Sequence, residues 1–199
     1  ELVIAGMLTA VRRIPEAIDW CKTLADKGDE VPQLVEKGKS QFAGSEIKGK
    51  TLGVIGLGAI GVMVANTAAA MGMKVIGSDP YISVDAAWGL SREVKKAISL
   101  DSLIAESDFI TVHVPLTDTT KGMFNADKFN IMKKGTVLLN FARGGLVKNE
   151  DLNAAIEAGI ISTYMTDFPD AELIGMKNVI CVPHLGASTE EAEDNCAAM

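Results

Sequence analysis

The chain has 199 residues, 48% hydrophobic and 23% charged, which suffices for a sizeable core without disulfides or metals and excludes a disordered chain. At about 150 residues per domain it reads as one large domain. Its net charge of −7 argues against nucleic acid as the main ligand, because phosphate neutralisation needs clustered Lys and Arg.

Glu1 to Lys27 is expected as a first helix that has lost its beginning, since no Ser, Thr, Asp or Asn cap precedes Leu2-Val3-Ile4-Ala5. Its apolar stretch, Leu2 to Val11, is too short to cross a bilayer and lacks the charged start of a signal peptide. A polar stretch from Gly28 to Lys50 holds one short helix around Leu34 to Lys37. Thr51 to Gly56 is a buried strand, Ala59 to Met71 a helix of small apolar residues, and Lys74 to Ser78 a second strand ending at Asp79-Pro80. Ser91 to Ala97 and Leu100 to Glu106 follow as helices, and Phe109 to Val114 is a third strand stopped by Pro115. Then come a short helix (Lys128 to Met132), a fourth strand (Thr136 to Phe141), a helix (Asn149 to Ala158) and a fifth strand (Ile160 to Met165). Val179 to Val182 is the sixth strand, and Ser188-Thr189-Glu190-Glu191 opens a helix that runs to Met199. Both ends are expected to be excision points, with residues 1–199 forming one domain of a longer chain.

Short apolar strands alternating with helices predict an α/β fold: a doubly wound parallel sheet of the Rossmann type, covered on both faces. Cys21, Cys181 and Cys196 are odd in number and form no CxxC pair. That pattern suits a reducing, cytoplasmic setting better than a disulfide scaffold. With two histidines, no His-rich metal site is expected.

Gly56-Leu57-Gly58-Ala59-Ile60-Gly61 is a GxGxxG segment that leaves the first strand and opens a helix, the context a dinucleotide pyrophosphate requires. Gly56 allows the tight turn, Gly58 lets the backbone approach the phosphates, and Gly61 lets helix and strand pack closely. The helix amino terminus supplies free N–H groups and partial positive charge. Asp79 closes the second strand eighteen residues after Gly61. A carboxylate there accepts ribose hydroxyls and repels a 2′-phosphate, and Pro80-Tyr81-Ile82 supplies no cation, so the expected cofactor is NAD rather than NADP.

Ligands of open α/β sheets lie beyond the carboxyl ends of the strands. His113 closes the third strand, Arg143 follows the fourth, Asp167 the fifth and His184 the sixth. Any one of them alone reads as a surface or capping residue, but together they suit a nicotinamide-dependent alcohol oxidation. A histidine can take the hydroxyl proton near neutral pH, and an arginine can hold a carboxylate with its planar fork.

The Gly56–Gly61 loop, His113-Val114-Pro115-Leu116-Thr117, Asn140-Phe141-Ala142-Arg143-Gly144-Gly145 and Pro183-His184-Leu185-Gly186-Ala187-Ser188-Thr189, in this order and spacing, resemble the D-isomer-specific 2-hydroxyacid dehydrogenases over nearly the whole chain. The resemblance implies an NAD-dependent dehydrogenase acting on a small 2-hydroxy acid. It makes Arg143 the substrate-binding arginine, His184 the acid/base and Asp167 the holder of the nicotinamide carboxamide. Ala59 and Ile60 belong to the phosphate loop, and His113, Pro115, Thr120, Ala142 and Gly186 line the cofactor cleft. A glutamate five residues after the aspartate orients the histidine in this family, and Glu172 stands at that position. The segment Asp167-Phe168-Pro169-Asp170-Ala171-Glu172-Leu173 departs from the common Asp-Val-Phe-x-x-Glu-Pro pattern, which leaves Asp170 as a competing carboxylate.

By the same resemblance the cofactor domain is inserted into a substrate domain absent here, to which residues 188–199 would return. The first helix would join a homodimer contact between cofactor domains, with burial against its own sheet as the alternative. No nucleic-acid, membrane or metal partner is expected. Two other readings stay open: a relative acting on a different 2-keto acid, and a nucleotide-sensing regulator. The presence of Arg143, His184 and a carboxylate at 172 argues against the regulator.

Overall fold

In the computed structural model, which describes residues 1–192, β1 (Thr51–Ile55) carries side chains into both faces of a sheet. Leu52 and Val54 enter one apolar cluster and Ile55 the other. The same division runs through β2 (Lys74–Ser78), β4 (Phe109–Val112), β5 (Thr136–Asn140) and β6 (Ile161–Thr166), and β7 (Val179–Cys181) closes one edge. Burial on both faces is why these segments are nearly continuous apolar runs rather than alternating ones. One face is covered by α1 (Leu2–Arg12) and α4 (Ala59–Ala70), the other by α6 (Leu100–Glu106), α7 (Ala126–Asn130) and α8 (Asn149–Glu157). Gly53 makes the second layer possible, since a Cβ there would stand 2.5 Å from Leu103 Cδ2 and 2.3 Å from Ser107 Oγ.

Among the described residues the sheet has seven parallel strands in the order β3-β2-β1-β4-β5-β6-β7. The extra strand, β3 (Lys95–Lys96), pairs with Ile76 and Gly77. It corrects the helix expected over Ser91 to Ala97. Asn66 Oδ1 accepts the Ser91 N–H at 2.8 Å and turns the chain, so the following residues reach the sheet edge. The helix of this region lies earlier, as α5 (Val84–Gly89), capped by Ser83.

The single helix expected from Glu1 to Lys27 is broken. Arg13 adopts a left-handed conformation (φ 49°, ψ 38°), and α2 (Ile14–Lys22) starts anew. Pro15 is the cause, because it has no N–H to donate to Val11 O, four residues back. That carbonyl accepts from Ser45 N instead, at 3.2 Å. Gly44 permits the approach, as a Cβ there would lie 1.9 Å from Val11 O. The short helix expected around Leu34 is α3 (Val31–Gly38), and a further helix, α9 (Ala171–Gly175), is capped by Asp170 Oδ1 accepting Leu173 N at 2.8 Å. Val3, Met7 and Val11 of α1 are buried within the cluster that includes Leu139 and Met165. The carboxy-terminal helix starts at Glu190, with Thr189 Oγ1 accepting Ala192 N at 3.1 Å; its continuation through 193–199, with Cys196, lies outside the described residues.

Strand order reverses between β1 and its two neighbours, β2 and β4. A crevice therefore opens between β1 and β4 at their carboxyl ends, where an α/β sheet takes its ligand.

Candidate functional site

The glycine loop leaves β1 into this crevice. Gly56 has φ 90°, and a Cβ there would lie 2.5 Å from His113 O; a Cβ on Gly61 would stand 2.0 Å from Gly56 O. No side chain fits either place, so the loop can turn and α4 can start only with glycines. Gly58 differs: nothing lies within 4 Å of where its Cβ would be. Gly58, Ala59 and Ile60 are exposed, and α4 has neither a capping side chain nor an acid in its first turn. Its leading N–H groups therefore face open space with positive polarity.

Asp79 is tied to this loop. Its Oδ2 accepts the Leu57 N–H and its Oδ1 the Tyr81 N–H, both at 2.8 Å. Each oxygen keeps a further lone pair for a ribose hydroxyl. His113 follows β4, with its N–H donated to Ile55 O at 2.7 Å and its Nε2 3.0 Å from Thr111 Oγ1. Burial lowers its pKa to about 4, so the ring is neutral at pH 7. Past Pro115, Thr120 Oγ1 donates to Pro115 O at 2.6 Å and accepts from Thr117 N at 2.8 Å, which closes the loop below the crevice.

The second half of the edge is built on Asn140, fully buried at the end of β5. Its Oδ1 accepts from Ala142 N (3.2 Å) and Arg143 N (3.3 Å), and its Nδ2 donates to Arg143 O (2.8 Å) and Tyr164 Oη (3.1 Å). This network presents Arg143 outward, with its guanidinium carbon 5.8 Å from the centre of the Phe168 ring. The His184 ring lies on the same phenyl group, 4.6 Å between centroids and tilted by 46°. His184 Nε2 is 3.9 Å from Asp167 Oδ2. Asp167 is 2% exposed, and its Oδ1 is buried with no hydrogen-bond partner among the described residues. Burial raises its pKa, against the lowering influence of His184 and Arg143.

The structure thus brings Arg143, Asp167 and His184 together. It does not bring Glu172 to His184. Asn149 Nδ2 donates to Glu172 Oε2 at 3.0 Å and to Asp170 Oδ2 at 2.9 Å, while Asp170 also caps α9. Both candidate carboxylates are thereby engaged by one amide; Asn149 and Asp170 line an open cleft of about 730 Å³ together with Gly144, Lys148 and Phe168. Among the described residues the carboxylate within 4.0 Å of His184 is that of Asp167. Nothing lies within 4 Å of where a Cβ on Gly186 would stand.

Sequence reasoning missed three contributors: Asn140, Tyr164 and Phe168. A polar residue ending an otherwise apolar strand was the available signal for Asn140. A dinucleotide fits this edge on structural grounds: free α4 N–H groups beside the bare Gly58, spare acceptor capacity on Asp79, and a buried unpartnered carboxylate oxygen on Asp167. Among the described residues no group of three His, Cys, Asp or Glu could hold a metal ion, and no helix is long and apolar enough to cross a membrane.

Comparison with known proteins is consistent with this geometry. The family model for the D-isomer specific 2-hydroxyacid dehydrogenase, NAD binding domain, matches residues 4–186. The chain is 43% identical over 200 residues to D-3-phosphoglycerate dehydrogenase of Mycobacterium tuberculosis, covering 98% of this chain and 35% of that protein. It is 40% identical over 199 residues to the D-3-phosphoglycerate dehydrogenase of Methanocaldococcus jannaschii, covering 97% and 36%. The chain therefore spans about a third of the length of these relatives. Among solved structures, D-lactate dehydrogenase from Aquifex aeolicus, complexed with NAD and lactic acid, superposes with a TM-score of 0.77 at 32% identity, over 96% of this chain and 60% of that one.

Proposed function

The chain belongs to the D-isomer specific 2-hydroxyacid dehydrogenase family, as its NAD binding domain, and from that premise we propose that it is the cofactor half of a D-3-phosphoglycerate dehydrogenase. The complete enzyme oxidises 3-phosphoglycerate to 3-phosphohydroxypyruvate, the entry to serine biosynthesis. The observation that carries the reading is the convergence of Arg143, Asp167 and His184 at the carboxyl edge of the sheet. The choice among 2-hydroxy acids rests on the likeness to phosphoglycerate dehydrogenases over nearly the whole chain.

Bound NAD supplies the hydride acceptor. Arg143 holds the substrate carboxylate with its fork and polarises the oxygen that becomes the carbonyl. His184 takes the hydroxyl proton at an imidazole nitrogen. Asp167 would have two tasks: Oδ2 would favour the imidazolium that results, and Oδ1, buried without a partner among the described residues, would hold the carboxamide of the nicotinamide. Glu172 keeps its expected place as the residue that orients His184 only if it leaves Asn149, and Glu172→Gln tests this against Asp167→Asn. Gly56, Gly58, Ala59, Ile60 and Gly61 would cradle the pyrophosphate, Asp79 would take the ribose, and His113, Pro115, Thr120, Ala142 and Gly186 would line the cleft.

The substrate domain lies outside residues 1–199 in this reading, and α1 joins a homodimer contact through the partly exposed Leu2, Ile4 and Leu8. The enzyme is placed in the cytoplasm, in keeping with the free thiols of Cys21 and Cys181. A second reading, a dehydrogenase of D-lactate or glyoxylate type, draws on the likeness to the lactate enzyme.

The test uses the complete enzyme carrying this domain. Initial rates with 3-phosphoglycerate, D-lactate and glycolate separate the two readings. Arg143→Ala or His184→Ala lowers turnover about a hundredfold or more. Near-parental turnover in either variant contradicts the assignment.

A further inference from the structure

We propose that Phe168 is a positioning residue that holds Arg143 and His184 in working orientation by aromatic contact; the proposal rests on the function proposed above. The other ties on these two side chains are few. Among the described residues no carboxylate lies within 4.0 Å of Arg143, and the guanidinium's one hydrogen bond is local, from Nη1 to Ala142 O. The His184 side chain is 60% exposed, and its ion-pair distance to Asp167 is a long 3.9 Å. Glu172 is held by Asn149. The surface both side chains share is the Phe168 ring, 5.8 Å from the Arg143 guanidinium carbon and 4.6 Å from the imidazole centroid.

The backbone that carries the ring is anchored. The Phe168 N–H donates to Oγ1 of the fully buried Thr166 at 3.1 Å, and Pro169 follows. Gly144 leaves it room: a Cβ there would come within 3.3 Å of Phe168 Cβ. The ring therefore belongs to the end of β6, while the Arg143 backbone is set by the Asn140 network at the end of β5. Phe168 links the two strand ends through the side chains that the chemistry uses.

An aromatic ring suits an anionic substrate better than a carboxylate would. Its face attracts the guanidinium, and the imidazole once that has taken a proton. It does so without offering Arg143 a competing anion. Apart from the Nη1 donor to Ala142 O, the N–H groups on the edge of the guanidinium stay available for the substrate carboxylate.

The experiment compares Phe168→Leu and Phe168→Tyr in the complete enzyme, with Arg143→Ala and His184→Ala in the same assay. NADH affinity and melting temperature are recorded for each. The expected result for Phe168→Leu is a roughly five- to thirtyfold loss in kcat/KM. It is divided between a lower kcat and a higher KM for 3-phosphoglycerate, with NADH affinity and melting temperature unchanged. Phe168→Tyr, which keeps the ring, restores both. The proposal is overturned if Phe168→Leu matches the parent while the Arg143 and His184 variants collapse. It is also overturned if the Leu variant loses NADH affinity and melting temperature in step with turnover, which marks a merely structural residue. Parental activity in the Arg143 and His184 variants overturns the assigned function, and this proposal with it.

Discussion

The Asp79 carboxylate accepts the backbone N–H of Leu57 at 2.8 Å, so the acid that closes β2 and the glycine loop that leaves β1 form one unit. The residue expected to receive the ribose also holds the loop proposed to receive the pyrophosphate. Asp79→Ala removes both functions. A hydrogen bond to a charged group contributes about 1.5–3 kcal/mol, so NADH affinity should fall about ten- to hundredfold, as a fluorescence titration would read. An unchanged dissociation constant would mean that the carboxylate serves only the loop.

Gly61 and Gly58 separate structure from binding. Gly61→Ala drives a Cβ to 2.0 Å from Gly56 O, and overpacking against backbone costs about 1–3 kcal/mol. The melting temperature should fall and NADH binding with it. Gly58→Ala meets nothing within 4 Å, at φ −74° and ψ −165°. Its melting temperature should match the parent while NADH affinity drops, since the methyl group would occupy the space proposed for the pyrophosphate. If both variants behave alike, the loop is not the cradle described.

His113 predicts a pH dependence of stability. Burial depresses its pKa from 6.5 to about 4 in the folded chain, so the unfolded chain binds the proton first. The stabilisation is complete above pH 6.5, declines as pH falls towards 4, and is gone below that. At pH 5 the loss is on the order of 2 kcal/mol. Thermal melts at pH 7 and pH 5 should show this slope in the parent and a shallower one in His113→Gln. Equal slopes would contradict a neutral buried ring.

The strands were legible because burial on both faces leaves unbroken apolar runs such as Phe109–Val112. Lys95–Lys96 gave no such signal, being two exposed residues on an edge where lysine is common. Pro15 marked the break after Arg13, but the apolar residues beyond it kept a helical period and concealed the stop. The positions of Gly56, Asp79, His113, Arg143, Asp167 and His184 at one sheet edge followed from strand ends alone. What the carboxylate of Glu172 touches did not, because a side-chain torsion decides it, and Asn149, 23 residues away, takes it. The Phe168 contacts were hidden for the same reason.

The measurement that tests the central claim most directly is a thermal melt of this chain with NADH and, separately, with NADPH. Ligand at a hundred times its dissociation constant adds about 2.7 kcal/mol, worth roughly 5–10 °C for a domain of this size. The account predicts that shift with NADH and none with NADPH, because Asp79 repels the 2′-phosphate. An equal shift with both, or none with either, would contradict it.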